Sequence, residues 1–274
     1  MFGFDLLSLI AILACGVLVG VLSAMFGIGG GTIMVPLIHL VFGQPAAVSS
    51  GTSLFAILPT SVSSMIARLH DGTINFKVGL AIGLAGACFS PLGAYAAKVL
   101  PGEIAMVLTA VFILYSAFNM YRRVWRTRAG ASKLAGEKVA RLASAQGLRL
   151  YGSAALMGVF VGFISGYVGL GGGFIVVPLL QWLFGFTMKQ ASGTSLVSVA
   201  IFAVPSFVAH AILGNVAWVI GLLLIAGSLF GSRLGAQIIQ RVNDRMLTLL
   251  FATVLVISGV ILAGTEFFGV SDCE

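Results

Sequence analysis

Charge is scarce in this chain. Asp, Glu, Lys and Arg make up only 8% of its 274 residues, against 59% hydrophobic. No soluble domain covers its surface with so few charges, so the main solvent of this chain is lipid. Cysteine is scarce as well. Cys15, Cys88 and Cys273 show no CxxC or metal-ligand spacing, so a disulfide framework is unsupported and Cys15 and Cys88 read as small packing residues. Carboxylates are missing from the middle of the apolar stretches: Asp5, Asp71, Glu103, Glu137, Asp244, Glu266, Asp272 and Glu274 all fall at or near segment ends. That argues against a proton pump built on a buried acid. His39, His70 and His210 are not spaced as ligands, so no metal site and no cofactor is expected. The alternating segments of about ten residues that build a membrane barrel are also missing. Runs near the ~20 apolar residues that a helix needs to cross ~30 Å of hydrocarbon recur instead. The expected fold is therefore all-α and polytopic. Met1 to Asp5 puts no basic region ahead of the first apolar run, which argues for a permanent first span over a cleaved signal peptide.

The net charge of +7 does not point to nucleic acid, because eight of the fifteen Lys and Arg residues lie between Arg122 and Arg149. A basic loop between membrane segments is the usual mark of the cytoplasmic side, with anionic lipid as a secondary partner.

Shifted by 142 residues, the chain matches itself. Gly20 to Leu54 and Gly162 to Leu196 align without a gap, with 17 identities in 35 positions. The register continues, with Gly72 on Gly214, Gly79 on Gly221, and Leu92-Gly93-Ala94 on Leu234-Gly235-Ala236. The organisation expected is a first transmembrane repeat over 1–122, a basic linker over 123–149, and a second repeat over 150–274. Two related halves are a common plan of secondary transporters. The first half carries apolar segments at about 5–26, 30–43, 47–68, 75–98 and 103–122, the second at about 150–168, 172–185, 190–212, 216–239 and 246–267. The second segment of each half is short for a full crossing, so eight spans stay open beside ten. With the linker inside, ten spans put Arg68, Lys77, Lys189, Arg241 and Arg245 inside and only Lys98 clearly outside, which fits the positive-inside rule better. Five segments per half make the halves inverted and put both termini outside.

Two motifs occur once in each half. Gly27, Gly29, Gly30 and Gly31 are followed by Pro36; Gly169, Gly171, Gly172 and Gly173 are followed by Pro178. Glycine frees the backbone to leave the helix, and Pro36 and Pro178 are marked with them as helix-breaking positions. In lipid, broken backbone is tolerated only inside protein or along a cavity. A break exposes the N–H groups that open the next helix, a natural seat for an anion. Ser50, Thr52 and Ser53 of one SGTS sequence match Ser192, Thr194 and Ser195 of the other. Hydroxyls bind an anion without a fixed charge that would hold it too firmly. The alternative is close helix packing and backbone hydrogen bonding, the role assigned to Gly227, Gly231, Gly235, Gly158, Gly162 and Gly166. Three accessory candidates remain. His39 and its counterpart Gln181 are read as substrate contacts or as packing residues. Arg233 is read as an attractor of anions or as a side chain snorkelling to headgroups. GIGGGT lacks the Gly-Lys-Ser/Thr of a phosphate loop and the last glycine of GxGxxG, so nucleotide binding is set aside.

GIGGGTIMVPLI with SGTSL, repeated as GLGGGFIVVPLL with SGTSL, resembles the sulfite exporter TauE/SafE family of membrane permeases over nearly the whole chain. The resemblance implies a multi-span carrier for sulfur-containing anions such as sulfite, sulfoacetate and related organosulfonates. The function expected is a secondary transporter that alternates access to a small anion in the cell membrane, with or without a coupled proton or cation. A passive anion channel of the same architecture is the alternative. An enzyme would need a buried acid, base, nucleophile or metal cluster, and the sequence offers no such constellation.

Overall fold

The glycines that punctuate the chain divide it into long and short helices. The computed structural model describes residues 6–99, 102–126 and 147–267. Most of the 123–149 linker, Cys273, and the carboxylates Asp5, Glu137, Asp272 and Glu274 lie outside the described residues. Among the described residues the first half gives α1 (Leu6–Phe26), α2 (Gly31–Leu40), α3 (Ala46–Ala67), α4 (Phe76–Val99) and α5 (Gly102–Arg126). The second half gives α6 (Gly147–Val168), α7 (Gly173–Leu183), α8 (Met188–Ile212), α9 (Trp218–Arg241) and α10 (Asp244–Phe267). Seven of these are long and apolar enough to cross a membrane, and α5 is of similar length at 25 residues. α2 and α7, at 10 and 11 residues, extend only about 15 Å each, half of a hydrocarbon core.

The polarity is that of a protein in lipid. Large apolar side chains such as Leu84, Leu156 and Ile212 face outward, while Ser49, Ser53, Thr60, Ser90, Ser195 and Ser228 are buried. Hydrophobic burial therefore cannot be what holds the helices together. Close backbone contact and interhelical hydrogen bonds take its place. Gly16 and Gly20 of α1 pack directly on Leu224, Gly227 and Ser228 of α9, and Gly235 packs on Val21. Gly86 of α4 packs on Gly158 and Gly162 of α6, and Gly166 on Ser90. The glycine rows read as packing residues thus pack as expected. Cys15 is half-buried, but Cys88 is exposed on the outer face of α4 and packs against nothing inside. The packing role assigned to Cys88 is corrected accordingly.

These contacts fix the helix directions. Residue numbers rise together along α1 and α9, so the two helices are parallel. α3 is parallel to α9 too, through Thr60 to Ser228 at 2.6 Å and Ser63 to Ser232 at 2.7 Å. α4 runs parallel to α6, and also to α8, through Ser198 to the Gly79 carbonyl at 3.0 Å and Ser90 to the Phe202 carbonyl at 3.1 Å. α3 and α8 are antiparallel, because Arg68 at the end of α3 reaches Lys189 and Ser192 near the start of α8, while His210 near the end of α8 lies against Gly51 near the start of α3. α5 and α10 are antiparallel, because Tyr121 meets Thr253 at 2.7 Å while Gly259, further along α10, lies against Ile113 and Leu114, earlier on α5. Each long helix thus runs opposite to its counterpart in the other half, which is an inverted repeat. α1 and α3 run the same way, so the stretch holding α2 must carry the chain back between them. The short segments therefore complete five passes per half, as the charge pattern favoured.

Candidate functional site

The returns are made at the glycine motifs. Gly27, Gly29 and Gly30 have φ of 71°, 74° and 92°, and Gly169, Gly171 and Gly172 have 74°, 73° and 60°. An L side chain is strained at each of these angles. α2 opens at Gly31 and α7 at Gly173, and neither N-cap glycine supplies a side-chain cap. Pro36 and Pro178 do not break anything: each sits inside its short helix, which runs on past it. Their role as helix-breaking positions is therefore corrected. The left-handed glycines alone interrupt the helix, and a proline at the sixth position only removes a donor to the first turn.

The two interruptions touch. Gly31 packs against the Leu170 carbonyl, and a methyl group on Gly173 would lie 2.6 Å from Ile28 Cα. Ile57 lies against Gly29, Gly31 and Gly171, and Val199 against Gly29. Ile57 and Val199 are counterparts in the repeat, each near the middle of its helix. The N-termini of α2 and α7 thus meet halfway along the α3/α8 pair.

The SGTS hydroxyls hold this arrangement from both sides. Ser53 donates to the Gly169 carbonyl at 2.8 Å, and Ser195 to the Gly27 carbonyl at 2.6 Å. Ser50 donates to the Val168 carbonyl at 3.0 Å. Thr52 accepts from the Ala217 N–H at 2.9 Å, and Thr194 from the Asn75 N–H at 3.1 Å. Ser192 accepts from Arg68 at 3.0 Å and bonds the Lys189 carbonyl at 3.1 Å. Each motif therefore braces the break of the other half, and its hydroxyls are engaged with protein.

Other hydroxyls are buried without a partner: Ser23, Thr32, Ser64, Ser165 and Ser206. Ser23 and Ser165 are counterparts, beside Gly30 and Gly172. Ser64 and Ser206 are counterparts on α3 and α8. Buried polar groups are normally paired, so four orphan hydroxyls in two symmetry-related pairs form a pattern. The sequence reading missed them, although the 142-residue shift superposes each pair as identical letters. At helical spacing, Ser50, Ser53, Ile57, Ser64 and Arg68 share one face of α3, and Ser192, Ser195, Val199, Ser206 and His210 share one face of α8. Because the helices are antiparallel, these faces form a polar stripe from one end of the bundle to the other, interrupted at its middle by Ile57, Val199 and the glycines.

Arg68 closes one end of the stripe. It reads in the sequence as an ordinary end-of-helix charge, yet its side chain is 1% exposed. It donates to the Ala24 carbonyl at 3.3 Å, Ser192 at 3.0 Å, Thr73 at 3.4 Å and the Lys189 carbonyl at 2.8 Å, and Asp71 lies 3.9 Å from its Nε. Burial pulls the guanidinium down to about 10, against the opposing pull of Asp71, so it stays a cation at neutral pH. The accessory candidates lie away from the breaks. His39 bonds the Gln44 carbonyl at 2.7 Å at the far end of α2. Gln181 reaches the Met188 sulfur at 3.1 Å near the end of α7. Arg233 is exposed on the outer face of α9. Among the described residues no group of three or more His, Cys, Asp or Glu side chains could hold a metal ion.

Comparison with known proteins agrees with this architecture. The family model described as sulfite exporter TauE/SafE matches residues 12–262. The probable membrane transporter protein YunE of Bacillus subtilis is 27% identical over 266 residues, covering 92% of this chain and 96% of the relative. A probable membrane transporter protein of Methanocaldococcus jannaschii is 24% identical over 273 residues, covering 94% and 96%. No solved structure matches the chain. Inverted halves, paired glycine breaks and a match over nearly the whole length lead to one assignment: the chain is a multi-pass membrane transporter of the sulfite exporter TauE/SafE family.

Proposed function

We propose that this transporter carries a small anion, a sulfur-containing oxyanion or organosulfonate such as sulfite or sulfoacetate, across the cell membrane by alternating access. The observation that carries the reading is the meeting of two uncapped helix N-termini, those of α2 and α7, halfway along the bundle. Each such terminus contributes about 0.3–1 kcal/mol toward an anion, and up to ~2 kcal/mol when partly buried. The unpartnered hydroxyls of Thr32 on α2, and of Ser23 and Ser165 on α1 and α6 beside Gly30 and Gly172, add neutral donors. The stripe on α3 and α8 carries no carboxylate that would repel the substrate. The choice of sulfur chemistry rests on the family description.

The bodies that move are mixed. α1 packs on α9 and α3 is hydrogen-bonded to it, while α6 packs on α4 and α8 is hydrogen-bonded to it. Access alternates when these two groups shift along the α3/α8 seam. The end that gathers Arg68, Lys77, Lys189, Arg241 and Arg245 faces the cytoplasm in this reading.

The test is a flux assay with purified protein in liposomes, using sulfite, sulfate, thiosulfate and sulfonates, with and without a pH gradient. Saturable flux of one or more of these anions is expected. Flux that never saturates, at rates far above a conformational cycle, would favour a channel; no flux of any of them would reject the anion reading.

A further inference from the structure

Arg68 and His210 occupy equivalent positions in the two halves, 142 residues apart. Their partners are equivalent too. Arg68 donates to the carbonyl of Ala24, and His210 Nε2 lies 3.4 Å from the carbonyl of Gly166, the counterpart of Ala24. Arg68 packs beside Gly193 of one SGTS motif, and His210 beside Gly51 of the other. Both side chains are buried, at 1% and 2% exposure. Each keeps one ring or guanidinium nitrogen without a hydrogen-bond partner, Nε of Arg68 and Nδ1 of His210. Because the repeat is inverted, they stand at opposite ends of the polar stripe, roughly 25 Å apart along α3.

Stapling helices does not explain the buried charge of Arg68. A neutral amide could bond the same carbonyls without the large cost of burying a charge. The acceptors that hold Arg68 are mostly neutral, two carbonyls and two hydroxyls, and its single carboxylate neighbour, Asp71, sits at 3.9 Å and also accepts from Gln240 at 2.8 Å. The cation is solvated by the protein more than it is neutralised. Its carbonyl partners, on α1 and on α8, belong to the two groups of helices that must separate for the end to open. When α8 moves away, the donors now facing Lys189 and Ser192 become free at the mouth, beside the SGTS motif.

We propose that Arg68 and His210 are the anion-staging residues of the two mouths, each taking the substrate from its own side and passing it along the stripe to the glycine breaks. This rests on the anion reading above. When closed, Arg68 is bonded to Ala24, Ser192 and Lys189; when open, it exchanges the acceptors of α8 for the oxygens of the anion.

The experiment measures KM and Vmax of radiolabelled sulfite, or whichever anion of the panel the wild type carries, from each face of orientation-sorted proteoliposomes. Losing a charge-assisted hydrogen bond to the substrate weakens it about ten- to a hundredfold. Arg68→Gln is expected to raise KM by about that factor from the face carrying the 123–149 linker. From the opposite face the loss falls on Vmax, because detailed balance lowers Vmax/KM equally in both directions for downhill flux. His210→Gln is expected to give the mirror image. Arg68→Lys keeps the charge without the fork and should recover part of the loss, which also serves if Arg68→Gln fails to insert. Equal loss of Vmax from both faces with KM unchanged, in either the Gln or the Lys variant, means a structural staple and overturns the proposal. A wild type that carries none of the anions overturns the anion reading, and this proposal with it.

Discussion

Removing the two serines that brace the breaks separates architecture from recognition. Ser195 donates to the Gly27 carbonyl at 2.6 Å and Ser53 to the Gly169 carbonyl at 2.8 Å, and each also reaches the carbonyl three residues back, at 2.8 Å. Truncation to alanine leaves the Gly27 or Gly169 carbonyl without this donor in a dry interior. An unmade bond to a buried acceptor costs about 1–3 kcal/mol locally. The cost to global stability is smaller, near ~0.6 kcal/mol per interhelical bond, because a chain unfolded within the bilayer finds other partners. Thermal unfolding in detergent should therefore change little. The shape of the break should change more. If the anion is held by N–H groups presented in that shape, 1–3 kcal/mol corresponds to an affinity loss of about five- to a hundred-and-fifty-fold. Because Gly31 packs on Leu170, the two breaks are in contact, so the single variants should couple. A double-mutant cycle on KM is expected to show ~0.5 kcal/mol or more of non-additivity. The assay is sulfite flux in liposomes beside a melting curve for Ser53→Ala, Ser195→Ala and the pair. Wild-type KM in the double variant would refute the reasoning, and so would a fall in flux that only follows a fall in melting temperature.

Further outcomes follow from single contacts. Gly173→Ala would put a methyl 2.6 Å from Ile28 Cα, an overpacking of about 1–3 kcal/mol, and should abolish flux while membrane insertion persists. Gly214→Ala, with φ of +75° but nothing within 4 Å, should cost about 1–2 kcal/mol in strain and keep flux. Asp244 accepts from the N–H groups of Met188 at 3.1 Å and Lys189 at 3.0 Å, one on each carboxylate oxygen, so Asp244→Asn, which keeps a single acceptor, should lower the melting point by the equivalent of ~1 kcal/mol without changing KM. Cysteines placed before α1 and after α10 should react with an impermeant reagent from one face of the membrane, and a cysteine in the 123–149 linker from the other.

The repeat, the breaks and the SGTS sequences were legible because both copies use the same letters. Gly27 and Gly169, or Ser53 and Ser195, announce each other in an ungapped alignment. Their division of labour was not legible. A hydroxyl beside a glycine break reads as a donor to substrate, and only the fold shows that Ser195 is bonded to Gly27 of the opposite half. Arg68 and His210 stayed hidden for another reason. They are equivalent in place but unlike in letter, and an arginine at a helix end is taken for a topology signal unless its burial is known. Ser64 and Ser206 match in letter, but a serine in an apolar helix ordinarily bonds its own backbone, so nothing in the sequence marked them as lacking a partner. The prolines misled because their effect depends on position within the helix, which the glycines before them determine.

The pairing of α1 with α9 has a bearing on how the protein is made. The ribosome delivers the bare backbone faces at Gly16 and Gly20 long before their complements at Gly227 and Gly231 exist. Until then α1 must lodge in the bilayer with provisional neighbours, and α4 waits likewise for α6. Neither half covers these glycine faces with its own helices, so the packing of α1 and α4 is completed only once α9 and α6 are in place.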